Sequence, residues 1–163
     1  MLSQAVASIA YEEQANLETC AILDALFAKA MWGKEREACV AQLTNTKQLS
    51  ITQARHPLID PEKVVPNSYH ITQDKKILLI TGPNTGGKTV SMKIIGLFVL
   101  MTYCGMPITA QVATIPYFDR VFVDIGDDQS VESSLSSFSS HMKKQVEVCK
   151  YATKDSLVLL DEV

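Results

Sequence analysis

Residues 82–89 read Gly-Pro-Asn-Thr-Gly-Gly-Lys-Thr, and no other stretch restricts the fold of this chain as strongly. The octapeptide satisfies G-x-x-x-x-G-K-[ST] in full, a pattern that chance would place in a chain this long on the order of once in 200. It follows an apolar run, Lys76 to Thr81 (KILLIT), that reads as a buried strand. It opens a helical pattern, Gly87 to about Tyr103, that Gly105 and Pro107 stop. Strand, glycine-rich turn and helix in that order aim backbone N–H groups and the positive end of a helix at one point, which is an anion site. Gly82, Gly86 and Gly87 allow the backbone approach that a Cβ would hinder, with Pro83, Asn84 and Thr85 completing the loop. Lys88 is expected to bring its ammonium to the β- and γ-phosphates of ATP, and the Thr89 hydroxyl to ligate Mg²⁺.

A second element of such a site lies at the other end of the chain. Leu157 to Leu160 (LVLL) reads as a buried strand, and Asp161-Glu162 follows it directly. An apolar strand ending in two carboxylates is by itself an ordinary exit into a loop. Behind a phosphate-binding loop it reads differently: a parallel strand beside the P-loop strand sets Asp161 near the metal, and Glu162 polarises the attacking water. The expected catalytic groups are thus Glu162 and Lys88, with Thr89 and Asp161 on Mg²⁺.

The remainder of the chain reads as a connector and a mixed α/β body. From Ser3 to about Val40 there is no proline, and Val6, Ile9, Leu17, Cys20, Leu23, Phe27 and Met31 recur at helical spacing, so one long helix or two is expected, with Gly33 a candidate break. Leu49 and Ile51 alternate with polar neighbours as in a strand, and Pro57, Pro61 and Pro66 require a loop after it. Arg120 to Ile125 (RVFVDI) is another strand. A serine-rich stretch, 130–140, then leads into a helix from His141 to about Ala152. Residues 1–45 are expected to form a helical lead-in, a lever from an upstream domain, and residues 46–163 a partial P-loop domain that ends at the Asp161-Glu162 carboxylates.

Composition narrows the partners. Fifteen basic against 18 acidic residues give a formal charge of −3, so the chain advertises no strongly positive surface for a phosphate backbone. Cys20, Cys39, Cys104 and Cys149 lack C-x-x-C or His spacing and read as small buried hydrophobes in a reducing compartment. The apolar run near Ile94 to Met101 is far short of the roughly 20 residues that span a bilayer, and no basic leader opens the chain; a cytoplasmic protein without membrane contact is expected.

Four segments carry a more specific signal: RHPLI at 55–59, LLITGPNTGGKTVSMKIIGL at 78–97, FDRVFVDIGDDQSVESSLSSFSSHM at 118–142 and LVLLDE at 157–162. Together they resemble the MutS superfamily ATPase, and within it the MutS-two branch, where Thr follows the P-loop lysine and the signature is SSFSSHM. The resemblance implies an α/β P-loop NTPase of the ABC/MutS type and a homodimer with composite ATP sites. It also implies binding to double-stranded or branched DNA, a separate nuclease module and, in bacteria, action on stalled ribosomes. By residue, it implies that Ser136, Ser137 and Ser139 form a signature loop facing the partner's γ-phosphate, and that Pro66 and Asn67 lie on the adenine side. Val64 or Val65 stands where an aromatic often stacks on the base.

Other P-loop classes fit less well. A transporter-type or chromosome-maintenance ATPase calls for an LSGGQ-like signature, whereas this chain has SSLSSFSSHM. A small-molecule or nucleotide kinase calls for lid arginines, and Arg120 is the only arginine after Thr89. A non-catalytic fragment in which residues 1–42 supply a binding helix is the remaining alternative.

Overall fold

The computed structural model describes residues 2–82, 87–125 and 134–161, with side chains described outside 2–8 and 134–140. The proline-free start forms one helix, α1 (Leu2–Glu35), through Gly33 without a break. At a rise of about 1.5 Å per residue it is roughly 50 Å long. Most of it stands free, with Tyr11, Leu17, Ile22, Leu26 and Phe27 exposed. Among the described residues its last turns meet the body: Trp32 packs against the core, and Lys29 Nζ donates to the Cys104 carbonyl at 2.7 Å.

The body contains two sheets. The larger has the order β1 (Gln42–Thr44), β4 (Val112–Pro116), β2 (Leu49–Ala54), β3 (Asn67–Ile71). β1 runs parallel to β4, and the other two pairings are antiparallel. The alternation foreseen for β2 holds, with Leu49, Ile51 and Ala54 inward. Its pairing with β3 shifts between Ile51 and Ala54, where Gln53 takes a positive φ of 53°. The second sheet pairs β5 (Val121–Asp124) with β6 (Leu157–Leu160) in parallel, Asp124 opposite Leu160. Parallel neighbours need a long crossover, and α3 (Ser134–Tyr151) lies on it.

Helix α2 (Lys88–Tyr103) contributes Ile94, Ile95, Phe98 and Val99 to one core shared with both sheets, where they meet Leu49, Ile51, Ile115, Leu157 and Leu159. Its stop is as expected: Gly105 adopts φ 65°, and the Cys104 and Gly105 N–H groups return to carbonyls of the last turn.

Three expectations are corrected. Lys76 to Thr81 is neither a strand nor buried: Ile77 and Leu79 are 88% and 81% exposed. The run borders an open apolar groove of about 540 Å³, with β6 and Met92 and Ile95 of α2 among its other walls, and no described strand lies alongside to satisfy its backbone. β6 consequently has β5 as its neighbour, not the P-loop strand. The serine-rich stretch is also not a loop throughout, because α3 begins at Ser134 and takes in residues 134–140. Finally, Cys20, Cys104 and Cys149 are exposed and Cys39 is half-buried, so three of the four are not interior hydrophobes.

Candidate functional site

Two of the P-loop glycines have the backbone that their position requires. Gly82 has φ 149° and Gly87 φ 76°, conformations that an L side chain adopts only with strain. Gly87 caps α2 and, having no side chain, makes no side-chain cap hydrogen bond to that helix. A helix start directly behind a left-handed glycine is a backbone arrangement known to receive anions. Lys88 is the first residue of α2, and Thr89 follows one position on. Pro83, Asn84, Thr85 and Gly86 lie outside the described residues, as does Glu162.

Thr89 and Asp161 are 72 positions apart in sequence and meet in space. The Thr89 hydroxyl donates to Asp161 Oδ2 at 2.8 Å, in a half-buried setting. β6 delivers Asp161 to that point, and the Asp161 N–H donates to the Asp124 carbonyl at 2.9 Å, which extends the parallel pairing one residue past the strand. Thr89 and Asp161, the two residues expected from sequence at Mg²⁺, are therefore neighbours even though the strand expected beside β6 is not there. One hydroxyl and one carboxylate are a hard, oxygen-only pair. Mg²⁺ characteristically takes one or two such protein oxygens and leaves its other positions to phosphate and water.

The predicted serine residues fall on the start of α3. Ser136, Ser137 and Ser139 are helical in backbone, and their side chains lie outside the described set. Over the described side chains of α3, residues 141–151, Met142, Val146 and Tyr151 are exposed, and polar contacts tie this part of the helix to the body. Near its N-terminal half, His141 Nδ1 and Lys144 Nζ both donate to Asp124 Oδ1, at 2.8 and 3.1 Å. At its C-terminal end, Arg120 donates to the Tyr151 carbonyl.

Asp124 is the residue that sequence reasoning missed. Its side chain is 1% exposed, and Oδ2 has no partner among the described residues. Burial pushes this carboxyl up, but the hydrogen bonds and then the charges of His141 and Lys144 more than offset it and hold it below the ordinary carboxylate range. An ionised carboxylate only accepts, so His141 Nδ1 carries the hydrogen. The available signals were an aspartate closing an apolar strand and a His and Lys three residues apart on a helix, neither distinctive alone.

The loop after β2 brings His56 near Lys93 of α2. His56 accepts from the Leu58 N–H and has its pKa lowered by burial first and by Lys93 of α2 second. With Arg55, Pro57 and Val64 it lines a hollow of about 480 Å³. Val65 is exposed instead, and Asn67 opens β3. Among the described residues no three His, Cys, Asp or Glu side chains converge on one point, and no helix is long and apolar enough to cross a membrane.

Comparison with known proteins places these features. Residues 78–163 match the family model of MutS domain V, which takes in both the P-loop and Asp161. The chain is 49% identical over 163 residues to endonuclease MutS2 of Caldanaerobacter subterraneus, an alignment covering 99% of this chain and 21% of that protein. It is 46% identical over 164 residues to endonuclease MutS2 of Bacillus cytotoxicus, covering 100% and 21%. For the Fusobacterium nucleatum endonuclease MutS2, the values are 51% over 142 residues, 86% and 18%. The chain spans about a fifth of the length of these relatives. With the P-loop glycines, the Thr89–Asp161 pair and a match over its C-terminal half in agreement, the chain belongs to the MutS domain V family and is similar to its MutS2 members.

Proposed function

We propose that this chain is the ATP-binding part of a MutS2-type DNA-processing ATPase, with the triphosphate held by Gly82 to Thr89 and Mg²⁺ by Thr89 and Asp161. The observation that carries the reading is the 2.8 Å hydrogen bond from Thr89 to Asp161, which joins the two sequence motifs. The start of α2, behind the left-handed Gly87, supplies backbone donors for phosphate, and Lys88, at its first position, supplies the cation. When bound, Mg²⁺ would screen and orient the β- and γ-phosphates. Asp161 holds the Thr89 hydroxyl in a fixed direction, and Glu162, the next residue, is assigned to the attacking water. The base lies toward the hollow at Arg55, His56 and Val64, on the side of Pro66 and Asn67.

In this reading the start of α3, with Ser136, Ser137 and Ser139, closes over the nucleotide of a second subunit, where hydroxyls meet the charge that develops in the transition state. The working unit is a homodimer. Its DNA, double-stranded or branched, is gripped mainly by other segments, since this chain carries a net charge of −3. The name endonuclease MutS2, borne by the relatives, assigns a nuclease to the whole protein and not to the residues described above.

The test is nucleotide affinity. Lys88→Ala should weaken Mg²⁺–ATP binding through the loss of a charge-assisted contact of roughly 1.5–3 kcal/mol, about ten- to a hundredfold. Equal affinity of wild type and variant would remove the assignment. For the dimer, Lys88→Ala subunits mixed with Ser137→Ala subunits should recover part of the turnover that each lacks alone, and verified mixed dimers without recovery would exclude the action in trans.

A further inference from the structure

A continuous hydrogen-bonded path crosses three elements of the site. The Thr89 hydroxyl, at the start of α2, donates to the Asp161 carboxylate; the Asp161 N–H donates to the Asp124 carbonyl; and the Asp124 carboxylate receives His141 and Lys144 of α3. Both ends of the path are functional in the reading above: one holds the phosphate loop, the other the hydroxyl-rich helix start. The middle is rigid, because Asp124 is buried on a paired strand. The described part of α3, residues 141–151, has little apolar anchorage by contrast, with Val146 60% and Met142 44% exposed. This part of the helix is oriented by directed polar contacts, and two of these end on one oxygen of Asp124.

We propose that Asp124, His141 and Lys144 are positioning residues for ATP hydrolysis: they clamp α3 to the Thr89–Asp161 pair, so that the state of the P-loop sets where the serine-bearing end of the helix lies. The clamp touches no phosphate. Loss of it leaves the phosphate cradle intact and misplaces the groups that act during turnover, where errors near 1 Å cost up to about a hundredfold. This inference rests on the nucleotide-binding reading, and its test separates the two.

The experiment uses the full-length protein and measures the Kd for a fluorescent ATP analogue and the kcat for ATP hydrolysis in parallel. Asp124→Leu and the double variant His141→Gln, Lys144→Met should each keep the Kd within about threefold of wild type, while kcat falls about ten- to a hundredfold. Combining all three substitutions should be no worse than Asp124→Leu alone, because the contacts act as one unit. Lys144→Arg, which keeps a cation at the clamp, should retain most of the turnover. Lys88→Ala is the control. If it leaves the Kd unchanged, the nucleotide-binding reading fails and the clamp fails with it. If it abolishes binding while the clamp variants turn over at the wild-type rate, the clamp alone is wrong. A parallel loss of Kd and kcat in the clamp variants, with a lowered melting temperature and no rescue by Lys144→Arg, would show a merely structural role and overturn the proposal.

Discussion

The clamp at Asp124 should be strongly asymmetric in stability, depending on which side of it is removed. Asp124 is 1% exposed at the side chain, whereas His141 and Lys144 are 33% and 46% exposed. Removal of both cationic partners, by His141→Gln with Lys144→Met, strands a buried carboxylate, and breaking a buried pair in this way costs about 3–5 kcal/mol. Removal of the carboxylate leaves two groups that turn to water. Asp124→Leu exchanges a buried charge for an apolar side chain of similar length and should cost no more than about 1.5 kcal/mol. The pH dependence follows from the sign of the shift. In the wild type the folded carboxyl lies below its ordinary value, so its contribution is complete above about pH 3.9 and is lost as pH falls through the folded pKa. In the double variant, burial acts without its counterweight and raises the folded pKa, so the deficit is largest at neutral pH and closes on acidification. Equilibrium urea unfolding at pH 7 and pH 4, with matched m-values, measures all of this. A double variant within about 1 kcal/mol of wild type at pH 7, or one more stable than Asp124→Leu, would refute the reasoning.

Three further outcomes are expected. His56 is held below its ordinary pKa by burial and then by Lys93, so stability should fall as pH drops from about 6.5 toward the lowered folded value, and His56→Gln should flatten that slope in pH-resolved thermal unfolding. A thiol reagent should label Cys20, Cys104 and Cys149 quickly and Cys39 slowly, because burial pushes the Cys39 thiol up; mass-resolved labelling with Cys39 among the fast sites would contradict this. A Cβ at Gly33 would lie 2.7 Å from Cγ of the Pro107 ring, whereas one at Gly96 would meet a terminal methyl of Leu159 that borders the open groove. Each Ala gains about 1 kcal/mol of helix propensity, but overpacking against the rigid ring costs about 1–3. Gly96→Ala should therefore be the more stable of the two in urea unfolding by about 1–2 kcal/mol.

How legible the fold was in the sequence depends on how local each cause is. α1, α2 and β2 follow from periodicity and punctuation within a dozen residues, and the structure places them where the pattern does. Gly33 did not break α1, since a single glycine costs a helix only about 1 kcal/mol and its missing Cβ makes room for Pro107. β1, β3 and β4 were not legible, because short strands at a sheet edge or between turns are stabilised by the partners they find and not by their own pattern. The failure at Lys76 to Thr81 has the same origin. Its composition is that of a buried parallel strand, but a strand exists only as half of a ladder, and the described residues offer this run no ladder partner. Pattern specified the preference, and pairing decided the state.

The site divides along the same line, which explains why its best-read part and its missed part touch. Gly87, Lys88 and Thr89 were legible because phosphate chemistry demands a particular backbone, a cation and a hydroxyl within eight consecutive residues, so the whole constraint is written in one place. Asp161 was singled out only by reference to that loop, since a carboxylate after a strand gains meaning when a hydroxyl lies across from it, and in the structure the Thr89 hydroxyl donates to it at 2.8 Å. Asp124 carries no such reference. Its partners lie 17 and 20 positions later, on a helix whose orientation the sequence does not encode, and what makes it unusual is burial, a property of the assembled core. A charged group with 1% exposure is retained at the desolvation cost that burial imposes only where its partners offset it. Here those partners belong to α3, whose side chains over residues 141–151 are mostly exposed. A buried charge at the end of β5 is therefore best understood as the fixed point from which α3 is aimed, with Asp161 and Thr89 one hydrogen bond further on.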